Sequence, residues 1–231
     1  EKFLLPIHGS DELFPVNQVY CVGRNYAAHA REMGEDDRKP PFFFTKPIYS
    51  ITTGDVKYPP NTEDLQHEVE LVLAVGEDMS IFGFTIGVDL TRRDLQGQAK
   101  KDGKPWFRGK SFVGSAPISR ILPIKGFEEL SDLELRLKVN GELRQSGSCA
   151  DMIWPPQELL CEMAADVPLK QGDLIFTGTP EGVGKINTGD INLKTVLKRC
   201  KYLGIASERG IISNPKKRCI QILNIRLSLN I

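Results

Sequence analysis

The sequence predicts a β-rich α/β fold made of many short strands and few helices. Its 231 residues are enough for one sizeable core, and 40% hydrophobic with 26% charged residues is typical of a globular protein. Short apolar segments bounded by Gly and Pro turns outnumber helical patterns. These strands do not alternate regularly with helices, which argues against a doubly wound parallel sheet.

The hydrophobic pattern of each predicted strand indicates how much of it is buried. Residues 68–75 begin with polar–apolar alternation and then become continuously apolar, as expected of a strand that runs from a polar site into the core. Residues 133–139 alternate throughout, and the Asn140-Gly141 pair after them is a strong signal for a two-residue hairpin turn. The other predicted strands cover residues 16–22, 42–45, 84–90 and 174–177.

Three segments have helical patterns. Residues 25–33 contain good helix formers and stop at Gly34, a residue that favours the turn after a helix. Residues 91–101 carry mixed charge, and residues 156–165 are amphipathic with a proline in the first turn. A glycine-rich loop is predicted at residues 178–184.

Charge is distributed unevenly along the chain. Lys plus Arg and Asp plus Glu number 30 each, but from residue 194 onward there are nine basic residues and one acidic residue. The tail therefore carries a net charge of +8, and residues 1–193 carry −8. We predict one domain over residues 1–193 and a solvated basic tail over residues 194–231.

Several functional classes are disfavoured. The tail has neither an aromatic stacking platform nor a recognition helix, so we predict no nucleic-acid partner. The sequence contains no run of ~18 apolar residues, so we predict no membrane partner. The five cysteines are widely spaced, which favours free thiols in a reducing compartment, the cytoplasm or, after removal of a transit peptide, the mitochondrion. Segments 97–104 and 178–185 have five residues in place of four between their glycines, the wrong spacing for a phosphate-binding loop.

Three acidic residues are candidates for a metal site. Glu68 and Glu70 are two apart on a predicted strand, so their carboxylates point to the same side. Asp89 follows the apolar run at 84–88. Like charges in a partly buried place need a neutralising cation, and hard divalent ions prefer carboxylate oxygen. The alternative from spacing alone is an exposed polar face of the strand.

His29 and Glu32 are three apart on the predicted N-terminal helix and therefore neighbours on one face. A carboxylate beside an imidazole orients it and raises its basicity, which suits the activation of water. The alternative is a structural or solvent-exposed pair. Arg93 and Lys110, taken singly, are ordinary surface candidates.

Six segments that occur in order across residues 16–190 resemble the fumarylacetoacetate hydrolase family, specifically its short acylpyruvate-hydrolase and oxaloacetate-decarboxylase-like branch. The segments are 21–29 (CVGRNYAAH), 67–71 (HEVEL), 87–96 (GVDLTRRDLQ), 104–112 (KPWFRGKSF), 140–142 (NGE) and 177–184 (TGTPEGVG). The resemblance implies a mixed-strand β-sandwich roll with short peripheral helices, assembled as a homodimer. Residues 1–193 would then be the catalytic domain.

The resemblance also implies the site. The family's metal ligands match Glu68, Glu70 and Asp89, with Mg²⁺ or Mn²⁺ as the ion and Ca²⁺ as a substitute in crystals. The catalytic residues match His29 and Glu32, on a lid helix near residues 25–34, together with Lys110. The substrate-binding positions match Arg24, Arg93, Gln96, Lys110 and Thr179.

The implied activity is C–C bond hydrolysis of acylpyruvates, decarboxylation of oxaloacetate, or both, through a metal-stabilised enolate of a small 2-oxo acid. One alternative is an isomerase, an oxaloacetate tautomerase or a hydratase of a 2-oxo or dienoic diacid. A different class is an inactive metal-binding scaffold with a partner-binding tail.

The chain departs from the family pattern in two places. The connection between residues 77 and 84 is shorter than in the family, and the basic tail replaces the expected closing strands after residue 190. The end of that tail, residues 219–227, has the composition of a strand.

Overall fold

The computed structural model describes residues 3–26, 39–187, 192–199 and 219–228, and its main feature is a pair of β-sheets packed face to face. The strands in the described residues are β1 (Phe3–Pro6), β2 (Leu13–Val16), β3 (Val19–Val22), β4 (Phe43–Lys46), β5 (Ile51–Thr52), β6 (Val56–Lys57), β7 (Leu65–His67), β8 (Val69–Val75), β9 (Ile81–Val88), β10 (Thr91–Arg92), β11 (Ala116–Pro117), β12 (Leu122–Pro123), β13 (Leu133–Val139), β14 (Glu142–Ser148), β15 (Leu174–Phe176), β16 (Gly184–Lys185), β17 (Asn192–Arg199) and β18 (Cys219–Ser228). The α-helices among them are α1 (Arg93–Lys101), α2 (Phe107–Lys110) and α3 (Pro156–Asp166).

The two main sheets are a six-stranded sheet in the order β12-β9-β8-β15-β3-β4 and a five-stranded sheet in the order β14-β13-β17-β18-β6. The six-stranded sheet is mixed, because β15 pairs parallel to β3 and antiparallel to β8. A small sheet, β10-β7-β16, continues from one end of it, and two strand pairs, β1-β2 and β11-β5, complete the fold. The strand-rich architecture confirms the predicted fold class.

Apart from Glu70, strand β8 is apolar because both of its faces are buried. Leu71 and Leu73 belong to the core between the two main sheets, together with Leu135 of β13. Val72 and Ala74 belong to a second apolar cluster on the opposite face. Each fully buried leucine contributes roughly 1.5–3 kcal/mol relative to an exposed one, so this strand anchors the fold and gives a rigid base to the residues at its end.

The predicted hairpin at Asn140-Gly141 is confirmed. Both residues have positive φ, +48° and +90°, as a two-residue type I′ turn requires. The apolar residues of β13 are buried and its charged residues are more exposed. The helices predicted at 91–101 and 156–165 are also confirmed, with small shifts in their ends, whereas residues 27–33 of the predicted N-terminal helix lie outside the described residues.

The prediction that the tail is solvated is wrong for its described residues, which form parts of two sheet strands. The predicted boundary after residue 193 falls inside β17, which pairs with β13 over Leu133–Val139, and β18 pairs with β17 and with β6. In both strands buried residues alternate with exposed ones, as in Leu193, Lys194 and Thr195. The basic side chain of Lys194 therefore occupies the outer face of a sheet strand. The strand predicted near residues 219–227 is confirmed.

The short connection between β8 and β9 is a single 3₁₀ turn at Glu77–Met79, with Asp78 and Met79 at positive φ of 50° and 56°. Among the described residues, we find no helix with the length and apolar character needed to cross a membrane.

Candidate active site

The candidate site lies where three strands of the six-stranded sheet continue into the three-stranded sheet. Strand β7 leads into β8 through Glu68, and β9 leads into β10 through Asp89 and Leu90. Strand β15 leads into β16 through residues 177–183. The backbone N–H of Asp89 donates to the carbonyl oxygen of Glu68 at 2.8 Å, which fixes the first two crossings against each other. We call this junction the seam.

Glu68, Glu70 and Asp89 come together at the seam. Each offers a carboxylate oxygen, and these oxygens lie within 4.8 Å of one another. The three residues are 5%, 1% and 1% exposed, respectively. The alternative of an exposed polar strand face is therefore excluded.

The ammonium group of Lys110 is held between two of these carboxylates. Its Nζ donates to Glu68 Oε2 at 2.7 Å, to Asp89 Oδ2 at 2.6 Å and to Thr91 Oγ1 at 2.7 Å. Burial by itself lowers the pKa of Lys110, but the charges of Asp89 and Glu68 outweigh it, and the net pKa is raised. Lys110 therefore keeps its proton and its positive charge.

Two further cations contact the carboxylates. Lys46, which is fully buried, places Nζ 2.8 Å from Asp89 Oδ1 and donates to Ser115 Oγ at 3.0 Å. That Lys46 contact lies off the direction of a hydrogen bond, and Asp89 Oδ1 receives no hydrogen bond from the described residues. Arg93 pairs with Glu68 Oε1 through Nη2.

Glu70 is the least compensated of the three acids. Burial, followed by the charges of Asp89 and Glu68, raises its pKa well above the usual range. The backbone N–H of Gly178 opposes this shift by donating to Glu70 Oε2 at 2.8 Å. Gly178 has φ of +94°, and a Cβ there would lie 2.8 Å from Asn25 Cβ, so glycine is required for this approach.

The donor set fits a hard divalent cation. Three carboxylates converge, Asp89 retains a buried oxygen that accepts no hydrogen bond from any described residue, and the charged form of Glu70 is destabilised by burial and by its neighbours. Mg²⁺, Mn²⁺ and Ca²⁺ all prefer such oxygen ligands. Glu68, Glu70 and Asp89 are the residues that could hold the ion.

Comparison with known proteins agrees with the fold and this chemistry. The sequence profile described as fumarylacetoacetate (FAA) hydrolase C-terminal matches residues 18–199. The chain belongs to the fumarylacetoacetate hydrolase family. Members of this family that are similar to the chain are enzymes, and they share its strand-rich fold.

Two curated members of the family are oxaloacetate tautomerases by name. YcgM of Escherichia coli is 38% identical, with 77% of this chain and 87% of that protein covered. Mitochondrial FAHD1 of Arabidopsis thaliana is 40% identical, with 74% and 82% covered. Among solved structures, fumarylpyruvate hydrolase from Pseudomonas aeruginosa, in complex with Mn²⁺ and pyruvate, is 37% identical with a TM-score of 0.83, and 99% of this chain and 97% of that chain are covered.

The structure gathers most of the substrate-binding residues that the family resemblance implies. A narrow cleft beside the carboxylates is lined by Gly23, Arg24, Glu68, Arg93, Gln96, Lys100, Trp106 and Lys110. Arg93 donates through Nε to Gln66 Oε1 at 2.7 Å and through Nη1 to Gln96 Oε1 at 2.6 Å. The guanidinium of Arg24 lies 5.0 Å from the centre of the Phe42 ring.

Thr179 is placed differently from expectation. Its hydroxyl donates to the carbonyl oxygen of Val69 at 2.9 Å and accepts from Gln145 Nε2 at 2.8 Å. The single hydroxyl hydrogen is thus used within the fold, and the expected substrate contact of Thr179 stays a prediction. His29 and Glu32 lie outside the described residues, so the predicted pair stays a prediction as well.

Lys46 and Gln145 are residues of the site that sequence reasoning missed, and for Gly178, at the start of the predicted glycine-rich loop, it missed the contact with Glu70. Lys46 ends β4 directly before Pro47, and nothing in the sequence distinguishes it from an exposed lysine. Gln145 accepts a hydrogen bond from the backbone of Val69 and contacts His67, a buried histidine whose pKa is lowered, chiefly by burial. No feature of residues 142–148 in the sequence marks this glutamine.

Proposed function

We propose that the chain is a divalent-cation-dependent enzyme that interconverts the keto and enol forms of oxaloacetate. The observation that carries the proposal is the buried cluster of Glu68, Glu70 and Asp89 with cations packed against it. The two curated family members described above are named for this reaction, which makes it the first activity to test.

The charge of the site favours a dianionic substrate. Three formally negative carboxylates lie beside three formally positive groups: Glu68 and Asp89 contact the side chains of Lys46, Arg93 and Lys110, and Glu70 completes the cluster. A divalent cation held by the carboxylates leaves the cluster with two positive charges. Oxaloacetate carries two carboxylates and balances that charge.

A bound divalent cation supplies Lewis-acid polarisation of a 2-oxo acid group and lowers the free energy of its enolate form. The chain's own residues bind and orient. Three of the five N–H groups of Arg93 serve Gln66, Glu68 and Gln96. The other two have no partner among the described residues and would bind a substrate carboxylate. Lys110, which stays protonated, stabilises negative charge that develops on the substrate oxygen.

The keto-to-enol conversion removes a proton from C3 and adds one to the oxygen on C2. We assign the base to the imidazole of His29, with Glu32 as the carboxylate that orients it. In the same proposal the cation is Mg²⁺ or Mn²⁺, and the chain is a homodimer in a reducing compartment. Light scattering of the purified protein tests the dimer.

Acylpyruvate hydrolysis is the second candidate, and the similarity to the fumarylpyruvate hydrolase favours it. In that reaction His29 and Glu32 activate a water that attacks the distal carbonyl carbon, and cleavage of the C–C bond gives a carboxylic acid and pyruvate. Decarboxylation of oxaloacetate passes through the same enolate and needs no water.

One preparation tests all three activities. Enol-to-keto conversion is followed by the loss of enol absorbance, decarboxylation by pyruvate formation from oxaloacetate, and hydrolysis by pyruvate formation from acetylpyruvate or fumarylpyruvate. Each assay is run with Mg²⁺, with Mn²⁺ and with excess EDTA. The proposal predicts rapid, EDTA-sensitive tautomerisation. Cation-dependent hydrolysis without tautomerisation would establish the second candidate, and the absence of all three activities would refute the proposal.

A further inference from the structure

The side-chain amide of Gln145 uses its full hydrogen-bonding capacity inside the fold. The residue is 1% exposed. Oε1 accepts from the backbone N–H of Val69 at 3.0 Å and lies 2.9 Å from His67 Nδ1. Nε2 donates to Thr179 Oγ1 at 2.8 Å and to the carbonyl oxygen of Pro180 at 3.0 Å. An amide has two donors and two acceptor positions, and all four have partners here.

The backbone partners decide which end of the amide is oxygen. The N–H of Val69 can only donate, and the carbonyl of Pro180 can only accept, so the orientation of Gln145 is unambiguous. Because Oε1 is an acceptor, the hydrogen of His67 lies on Nδ1. The amide of Gln145 therefore links three segments: Val69 at the start of β8, His67, and the loop after β15 that contains Thr179 and Pro180.

These contacts converge on the peptide groups between two candidate cation ligands. Val69 stands between Glu68 and Glu70; Gln145 holds its N–H, and Thr179, itself a partner of Gln145, holds its carbonyl oxygen. The residue before Thr179 is Gly178, whose N–H binds Glu70. A displacement of Gln145 would therefore act on both sides of Glu70, through the strand and through the loop.

We propose that Gln145 is a positioning residue that fixes the spacing of the Glu68 and Glu70 carboxylates for cation binding. The inference rests on the proposed cation-dependent function and adds a residue that touches neither the cation nor the substrate. A purely structural residue would stabilise the fold without changing the cation affinity of the folded protein. A positioning residue changes that affinity.

The test compares three single variants and one double variant, Gln145→Met with Thr179→Val, of the full chain. Mn²⁺ binding is measured from the electron paramagnetic resonance of free Mn²⁺, and stability by urea unfolding. Gln145→Met removes all four contacts at similar volume, and Thr179→Val removes one partner hydroxyl. Thr195→Val is the matched control, since it removes a buried hydroxyl bond to the carbonyl of Leu223 in the five-stranded sheet. Loss of a ligand-orienting contact typically weakens metal binding roughly 10–100-fold.

We expect Gln145→Met to raise the Kd for Mn²⁺ roughly 10–100-fold and Thr179→Val to raise it less. The double variant should lose less than the product of the single losses, because both residues act on Val69. Thr195→Val should lower stability and leave the Kd within about twofold of wild type. Saturating Mn²⁺ should restore most of the kcat of Gln145→Met, with an unchanged KM for oxaloacetate.

A folded Gln145→Met protein with wild-type Kd for Mn²⁺ would overturn the inference while leaving the proposed function standing. If Gln145→Met does not fold, the Kd of Thr179→Val decides: an increase supports the inference, and an unchanged value overturns it. Absence of Mn²⁺ binding by the wild-type chain would overturn the proposed function and the inference with it.

Discussion

Replacement of Lys110 by methionine tests how the seam balances its charge. The Lys110 side chain is 3% exposed, and its ammonium group donates to Glu68 Oε2, Asp89 Oδ2 and Thr91 Oγ1, all at 2.6–2.7 Å. Methionine keeps most of the volume but leaves two buried carboxylates without this partner. Removing one member of a buried ion pair typically destabilises a protein by about 3–5 kcal/mol, so we expect a loss of that size in the free energy of unfolding without divalent cation.

The measurement is urea unfolding of wild type and Lys110→Met, each in EDTA and in excess Mn²⁺. The cation replaces part of the missing positive charge, so the difference between the proteins should narrow in Mn²⁺; a ligand at 100 times its Kd adds about 2.7 kcal/mol to stability. Lys104→Met is the control, because Lys104 is 70% exposed in its ion pair with Asp102 and should lose less than about 1 kcal/mol. Equal losses for the two variants in EDTA would refute the charge-balance explanation.

Three other variants test the rest of the site. Glu70→Gln should abolish Mn²⁺ binding and turnover without destabilising the metal-free protein, since its carboxylate is held at a raised pKa by burial and like charges. Because the pKa of Glu70 is higher in the folded than in the unfolded chain, the metal-free wild type should lose stability relative to Glu70→Gln as pH rises above the ordinary Glu pKa of about 4.3. Urea unfolding at several pH values would measure this loss. His29→Ala should lower acetylpyruvate hydrolysis by roughly 10²-fold or more and affect oxaloacetate decarboxylation less; equal losses would remove the water-activating role. Gly178→Ala should weaken Mn²⁺ binding, because a Cβ lies 2.8 Å from Asn25 Cβ, and an unchanged Kd would contradict the role of the Gly178 N–H.

Local pattern made Glu68, Glu70 and Asp89 candidates, because strand alternation places Glu68 and Glu70 on one side and an apolar run leads to Asp89. It left an exposed strand face as the alternative, and the family resemblance favoured the cluster. Gln145 could not be predicted. A regular hairpin with a two-residue turn at Asn140-Gly141 pairs Leu137 with Arg144 and puts Arg144 on the inner face. The observed register shift between Leu137 and Lys138 pairs Leu137 with Gln145. This one-residue slip reverses which side chains face inward.

Net charge and hydrophobic pattern gave different expectations for the basic tail. Its charge suggested solvation, whereas the composition of residues 219–227 indicated a strand, and Leu223, Ile225 and Leu227 are buried in β18 and contribute to the main core. A two-residue period with basic residues on the outer face is compatible with a sheet position. One partner strand, β17, directly precedes β18 among the described strands, but the other, β6, comes from a distant part of the sequence.

The seam has a mechanical consequence. Glu70 lies in the six-stranded sheet, whereas Glu68 and Asp89 occupy the crossings into the three-stranded sheet, and the Gly178 contact ties the third crossing to Glu70. The proposed cation would therefore act as a cross-link that joins segments distant in the chain and restrains their relative motion. Amide hydrogen exchange in β7, β10 and β16 would slow when the cation binds, and the small sheet would become as rigid as the large one.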